Sequence, residues 1–186
     1  MVISMSKGSG KRFEEDFKKS VPSHCLLVRL NDPPQSFGKS DSLRFSMKNP
    51  CDFMVFDSER RIFMCLELKT TSGTSMSFEN IYDKDKTSKM IHAHQTKSLL
   101  KFSQYDYVYA GFLLNFRKEK CDSDYDENTY FIDVNAFQDM CDNIGKKSFN
   151  EKDLTEYGAT IVFGRKKRTR FIWNIDKMID DICVNI

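Results

Sequence analysis

At 186 residues the chain can build one ordinary domain with a packed core, and 40% hydrophobic with 30% charged residues is a globular composition. Twenty-nine Lys and Arg against 27 Asp and Glu leave a net charge of +2, so no uniform positive excess points to nucleic acid, although charge segregated along the chain still can. No stretch approaches the roughly 20 apolar residues that cross a bilayer. No apolar signal core opens the chain, and six cysteines without a C-x-x-C spacing argue against zinc. The expected compartment is the cytoplasm, with reduced thiols and no membrane partner.

In chain order, residues 1–9 are small and polar and are expected to be flexible. Phe13, Phe17 and Val21 form an apolar stripe that predicts a helix over 10–20, stopped by Pro22. Residues 24–30 read as a strand. A Pro-, Gly- and Ser-rich loop follows over 31–50, basic through Lys39, Arg44 and Lys48. Residues 51–56 and 61–70 read as a hairpin joined by Asp57-Ser58-Glu59-Arg60. In its second strand Ile62, Met64, Leu66 and Leu68 share one face, and Phe63, Cys65, Glu67 and Lys69 the other. A helix is predicted over 87–102, with the polar Gln95 on the same stripe as Ile91 and Leu99. Residues 107–115 are apolar on both faces, as in a central strand. A strand over 129–133, helices over 136–144 and 151–157, a hairpin of 160–163 with 170–173 and a helix over 176–184 complete a single α/β domain.

Chemistry concentrates at Asp52 and, fifteen residues on, Glu67-Leu68-Lys69. Phosphodiester hydrolysis needs an activated water and stabilisation of charge on the phosphorus. Two carboxylates on adjacent strands hold hard cations such as Mg²⁺, which lower the pKa of water and neutralise developing charge. The Leu68 carbonyl is a further candidate ligand, and Lys69 a candidate for positioning water and stabilising the transition state. A charged pair at a strand end is also found as a solvated edge. The apolar surroundings, CDFMVF and IFMCLELK, favour a site, because carboxylates beside a core are costly unless paired or metal-bound.

The ordered set of Gly10-Lys11-Arg12-Phe13-Glu14, Asn49-Pro50-Cys51-Asp52-Phe53, Glu67-x-Lys69, Ser75-Met76-Ser77-Phe78 and His92-Ala93-His94-Gln95 resembles the RecU-type Holliday junction resolvases. The resemblance spans about residues 8–116 and implies a restriction-endonuclease-like fold, a mixed central β-sheet flanked by helices. It implies that Asp52 and Glu67 bind metal, that Lys69 is the catalytic lysine, that Gln95 is an active-site glutamine and that Glu14 is the helix-borne acid of the site. One or two Mg²⁺ or Mn²⁺ per site, a four-way DNA junction, a homodimer and a recombinase are the implied cofactors and partners. The loop over 31–50 falls where the family carries its stalk, here short. Pro50-Cys51 departs from the Ser/Thr that usually precedes the aspartate.

Each residue also has a plainer reading. Glu14 pairs equally well with Lys18 on a helix surface, Gln95 with a backbone group at a helix end, and His92 and His94 with packing partners. Arg165, Lys166, Lys167 and Arg168 form a basic turn suited to phosphate contact or to simple solvation, and Lys11, Arg12, Lys39 and Arg44 add charge near the expected site. The rival functions are another nuclease of the same fold, in restriction or repair, and a non-catalytic DNA-binding or recombinase-regulating module.

Overall fold

A computed structural model describes residues 8–30, 49–82, 89–117, 125–126, 128–168 and 170–184. Most of the expected flexible start and stalk-like loop, with Lys39 and Arg44, lies outside the described residues. Gly8 and Ser9, expected to fray, already belong to the first helix.

Helix α1, Gly8–Ser20, buries Phe13 and Phe17 one turn apart and ends before Pro22. Strands β1 (Cys25–Arg29), β2 (Phe53–Asp57) and β3 (Ile62–Thr71) form an antiparallel meander. Strand β4, Met76–Ser77, and helix α2, Ala93–Phe102, then lead to β5, Val108–Phe116, which lies parallel to β3. Ala110 to Phe116 are buried without a break, as the apolar run on both faces requires of an interior strand. Gly111 has its own constraint, since a Cβ there would stand 2.3 Å from the Ile132 carbonyl oxygen.

The chain continues through β6 (Tyr125–Asp126), β7 (Thr129–Asp133), α3 (Val134–Asn143), β8 (Ser148–Phe149), α4 (Glu151–Glu156), β9 (Thr160–Ile161), β10 (Gly164–Lys167), β11 (Arg170–Trp173) and α5 (Ile175–Val184). The main sheet has the order β1-β2-β3-β5-β7-β9, antiparallel except at β3–β5. Helices cover both faces. Cys65, Ile91, Leu99, Phe112 and Phe137 pack on the α2–α3 side, and Phe13, Phe17, Leu66, Leu113, Trp173 and Ile179 on the α1–α5 side. This is the expected mixed α/β sheet flanked by helices.

Two sequence expectations are corrected. Thr160–Ile161 pairs with β7, not with Arg170–Trp173, whose partner is Gly164–Lys167. The basic residues 165–167 are therefore strand and not turn, and Arg168 begins the turn at φ 59°. Long basic side chains suit an exposed strand of a small sheet, because they oppose edge-to-edge association. Helix α2 starts at Ala93: of the earlier residues expected in it, 89–92 are not helical, since His92 is extended and caps it, and 87–88 lie outside the described residues. Ile91 instead forms a parallel bridge with Phe78. Met76–Ser77 and Ser148–Phe149, too short for period-2 patterning to register, pair with each other.

Candidate active site

Phe53 and Leu66 are the last residues in register between β2 and β3, so Asp52 and Glu67 stand one step beyond. The ladder slips there. The Asp52 N–H donates to the Leu66 carbonyl at 3.1 Å, and Asp52 Oδ2 accepts the Leu68 N–H at 2.8 Å. A side-chain oxygen takes the place of a strand carbonyl and locks the Asp52 carboxylate against β3.

The parity of β3 holds as expected. Leu66 and Leu68 join the α1-side core and Cys65 the α2-side core, which puts Glu67 and Lys69 towards α2. Glu67 is only 4% exposed. A carboxylate so buried needs strong partners, and two donors converge on its Oε1: Lys69 Nζ at 2.9 Å and Gln95 Nε2. Gln95 is the third residue of α2, and its Oε1 accepts the His92 N–H at 2.9 Å. One Gln95 amide therefore caps the helix through His92 and touches the buried acid.

Glu79 was not singled out by sequence. Its carboxylate accepts the Ala93 N–H at 2.9 Å and lies 3.0 Å from His92 Nδ1. The Ala93 N–H, outweighing partial burial and aided by His92, holds its carboxyl below the ordinary range. Glu79 thus fixes the start of α2, from which Gln95 reaches Glu67. No local pattern marks it, because its partners are 13 and 14 residues away.

Cys51, the departure from the resolvase pattern, is a free core thiol. It donates to the Phe53 carbonyl at 3.3 Å and is hydrogen-bonded with the free Cys65 thiol. That hydrogen bond and burial push it up, and the charges of Glu67 and Asp52 add to the effect.

Glu14 is held by Arg29, at 2.8 Å from Nε and 2.7 Å from an NH2 nitrogen. It pairs with neither Lys18 nor a solvent-exposed neighbour on its own helix. Arg29 faces Phe53, so this ion pair lies one residue from Asp52 along the sheet. Lys11 and Arg12 occupy the first turns of α1. Arg117, also missed by sequence, joins them: its N–H donates to the Thr71 carbonyl at 2.7 Å and its guanidinium to the Ser9 carbonyl at 3.2 Å. Burial and then the Arg12 charge push the Arg117 guanidinium down. Arg165 to Arg168 are exposed. Arg170, in the same basic run, is committed to Glu15 at 2.9 Å and to Asp16, which docks β11 on α1.

The donor set suits a hard cation. The Asp52 and Glu67 carboxylates and the Leu68 carbonyl offer oxygen only, as Mg²⁺ and Mn²⁺ prefer. With Lys69 the two acids carry one net negative charge, which a cation offsets.

No protein-family model matches the chain. A relative, the SPbeta prophage-derived uncharacterized protein YotM of Bacillus subtilis (strain 168), is 24% identical over 189 residues, spanning 95% of this chain and 88% of that protein. Among solved structures the chain is similar to Hjc of Archaeoglobus fulgidus, a Holliday junction resolvase from an archaeal hyperthermophile. That similarity has a TM-score of 0.44 at 16% identity, over 79% of this chain and 93% of that one.

Proposed function

We propose that the chain is a single nuclease domain of restriction-endonuclease-like organisation that cleaves four-way DNA junctions by divalent-metal-dependent hydrolysis. The carrying observation is the convergence of Lys69 and Gln95 on the buried Glu67 beside a backbone-locked Asp52. A solvated strand end would leave such an acid in water. Removing a carboxylate from water costs several kcal/mol after relaxation, on the order of what buried ion pairs must offset.

Asp52, Glu67 and the Leu68 carbonyl would hold a divalent cation, which would supply charge neutralisation at the phosphate and a more acidic water. The chain's own residues do the rest. Gln95 and Lys69 hold Glu67 in one orientation. The Lys69 ammonium, 2.9 Å from Glu67, is within reach of a phosphate oxygen and stabilises charge that grows there. Glu14, through Arg29, orients the strand end that carries Asp52. Lys11, Arg12, Arg165 to Arg168 and, in the stalk-like loop, Lys39 and Arg44 contact backbone phosphates, which position DNA without reading its sequence. Symmetric resolution requires two sites, so the active species is a homodimer, with a recombinase as a further partner.

The test uses a labelled four-way junction and a linear duplex of the same sequence, each with and without Mg²⁺ or Mn²⁺. Paired nicks in the junction alone, only with metal, support the reading. Equal cleavage of the duplex assigns another nuclease of this fold. Junction binding with no cleavage in either metal assigns a non-catalytic module.

A further inference from the structure

The far end of the β2–β3 hairpin holds a second cluster of ligand-bearing side chains. Asp57 pairs with Ile62 there, five residues along each strand from Asp52 and Glu67, or roughly 17 Å at strand spacing. His24 and Cys25 enter from the start of β1, and Asp176 from the first turn of α5. Ligand atoms of His24, Cys25 and Asp57 all lie within 4.8 Å of one another.

Three observations make this more than a charged corner. The first is spacing. His24 Nε2 is 3.5 Å from Asp176 Oδ1 and 3.7 Å from Asp57 Oδ2. Ligand atoms ~2.0–2.3 Å from a tetrahedral Zn²⁺ stand roughly 3.3–3.7 Å apart. The second is that His24 Nε2 is a buried atom without a hydrogen-bond partner, a costly state that a shared cation would relieve. The third is charge. Four carboxylates, Asp57, Glu59, Asp176 and Asp180, surround this corner, and Arg60 is the cation that pairs with three of them, Asp57, Asp176 and Asp180. Three negative charges remain for a dication.

We propose that His24 Nε2, Cys25 Sγ, Asp57 and Asp176 form a binding site for Zn²⁺ or a similar borderline-soft transition-metal ion, independent of the nuclease site. The mixture of imidazole, thiol and carboxylates excludes Mg²⁺ as its natural occupant. On binding, the Cys25 thiol gives up its proton to solvent, and Arg60 releases Asp57 Oδ2 and Asp176 Oδ1, which lie 2.7 and 3.0 Å from its guanidinium, while keeping Asp180. The site would tie β1, the β2–β3 hairpin and α5 together at the end of the sheet away from Glu67.

The experiment titrates the full chain with Co²⁺ alone near pH 7.5 and reads the near-ultraviolet thiolate-to-cobalt band. One saturable equivalent with that band, displaced by Zn²⁺, is expected. Cys25→Ser abolishes the band. His24→Gln weakens binding by more than the roughly 10–100-fold that losing an outer hydrogen-bond partner costs. Asp52→Asn and Glu67→Gln leave the band unchanged, which separates this site from the nuclease reading. A wild-type chain with no saturable cobalt band overturns the proposal, as does a band that survives Cys25→Ser and so belongs to another thiol. Far-ultraviolet circular dichroism confirms that the variants are folded, and the wild-type result decides by itself if one is not.

Discussion

Gln95 joins the start of α2 to the buried acid of β3, its Nε2 donating to Glu67 Oε1 while its Oε1 accepts the His92 N–H at 2.9 Å. The two bonds predict two separable effects of Gln95→Ala. Loss of the cap lowers stability by about 1 kcal/mol. If Glu67 holds the cation as proposed, loss of the bond to it lowers cleavage roughly 10–100-fold, with a higher Mg²⁺ requirement. Junction cleavage across a Mg²⁺ series, alongside denaturant unfolding, measures both. A variant that loses only stability would confine Gln95 to capping.

Asp52→Asn and Glu67→Gln should abolish cleavage and leave junction binding intact, because each keeps the side chain's shape and one acceptor oxygen but loses the charge proposed to hold a cation. Glu67→Gln should not destabilise the fold, since it removes a buried charge and keeps an acceptor for Lys69. Lys69→Met is the contrasting variant. It leaves Glu67 without its ammonium partner and should cost about 1–3 kcal/mol, towards the lower figure because Lys69 is partly exposed. Gel-shift assays and unfolding curves on the three variants check this ranking. Full activity in either carboxylate variant would move the site elsewhere.

The parts of this arrangement that were legible in the sequence share a short-range signature. The alternation of Ile62 to Lys69 put Glu67 and Lys69 on one face of a strand, and burial follows that parity. The apolar run of β5 marked the sheet interior. What stayed hidden depends on contacts distant in the chain. Glu79 meets His92 and Ala93 only after the fold is made. Arg117 meets Ser9, 108 residues earlier. The strand character of Arg165 to Lys167 was lost because basic side chains in a short exposed strand read like a turn, until β11 is seen to dock on α1 through Arg170 and Asp16. In sequence His24 and Asp57 are a strand end and a turn, and only the folded chain brings them together and Asp176 of α5 to His24.

Neutralising Arg165, Lys166, Lys167 and Arg168 together should weaken junction binding and reduce its dependence on salt. Each lost phosphate contact lowers the slope of log affinity against log salt by roughly 0.9 on duplex arms. These side chains are exposed and Arg168 opens the turn after β10, so the substitutions should leave stability within about 0.5 kcal/mol. Titrations at several salt concentrations give the slope directly. An unchanged slope would remove β10 from the DNA-binding face and leave the charge of α1 to carry it.

Asp153 provides a pH test apart from both sites. It closes a capping box at α4, accepting the Asn150 N–H at 2.8 Å, and its two oxygens take the Lys146 ammonium at 3.0 and 2.8 Å. Burial would raise its carboxyl, but Lys146 and the Asn150 N–H prevail and hold it below its ordinary value of 3.8. A carboxyl depressed by folding contributes stability that is fully present above its unfolded pKa and is lost as pH falls through the lower, folded value. Asp153→Asn should therefore cost about 1–2 kcal/mol near pH 7, a gap that stays level down to about pH 5. Below about pH 4 the wild-type chain loses the charge as well, and the two unfolding curves should converge. Urea midpoints for both proteins between pH 7 and pH 2.5 measure this. A gap that persists undiminished at the acid end would show that the neutral hydrogen bonds of the capping box, and not the charge shared with Lys146, hold the start of α4.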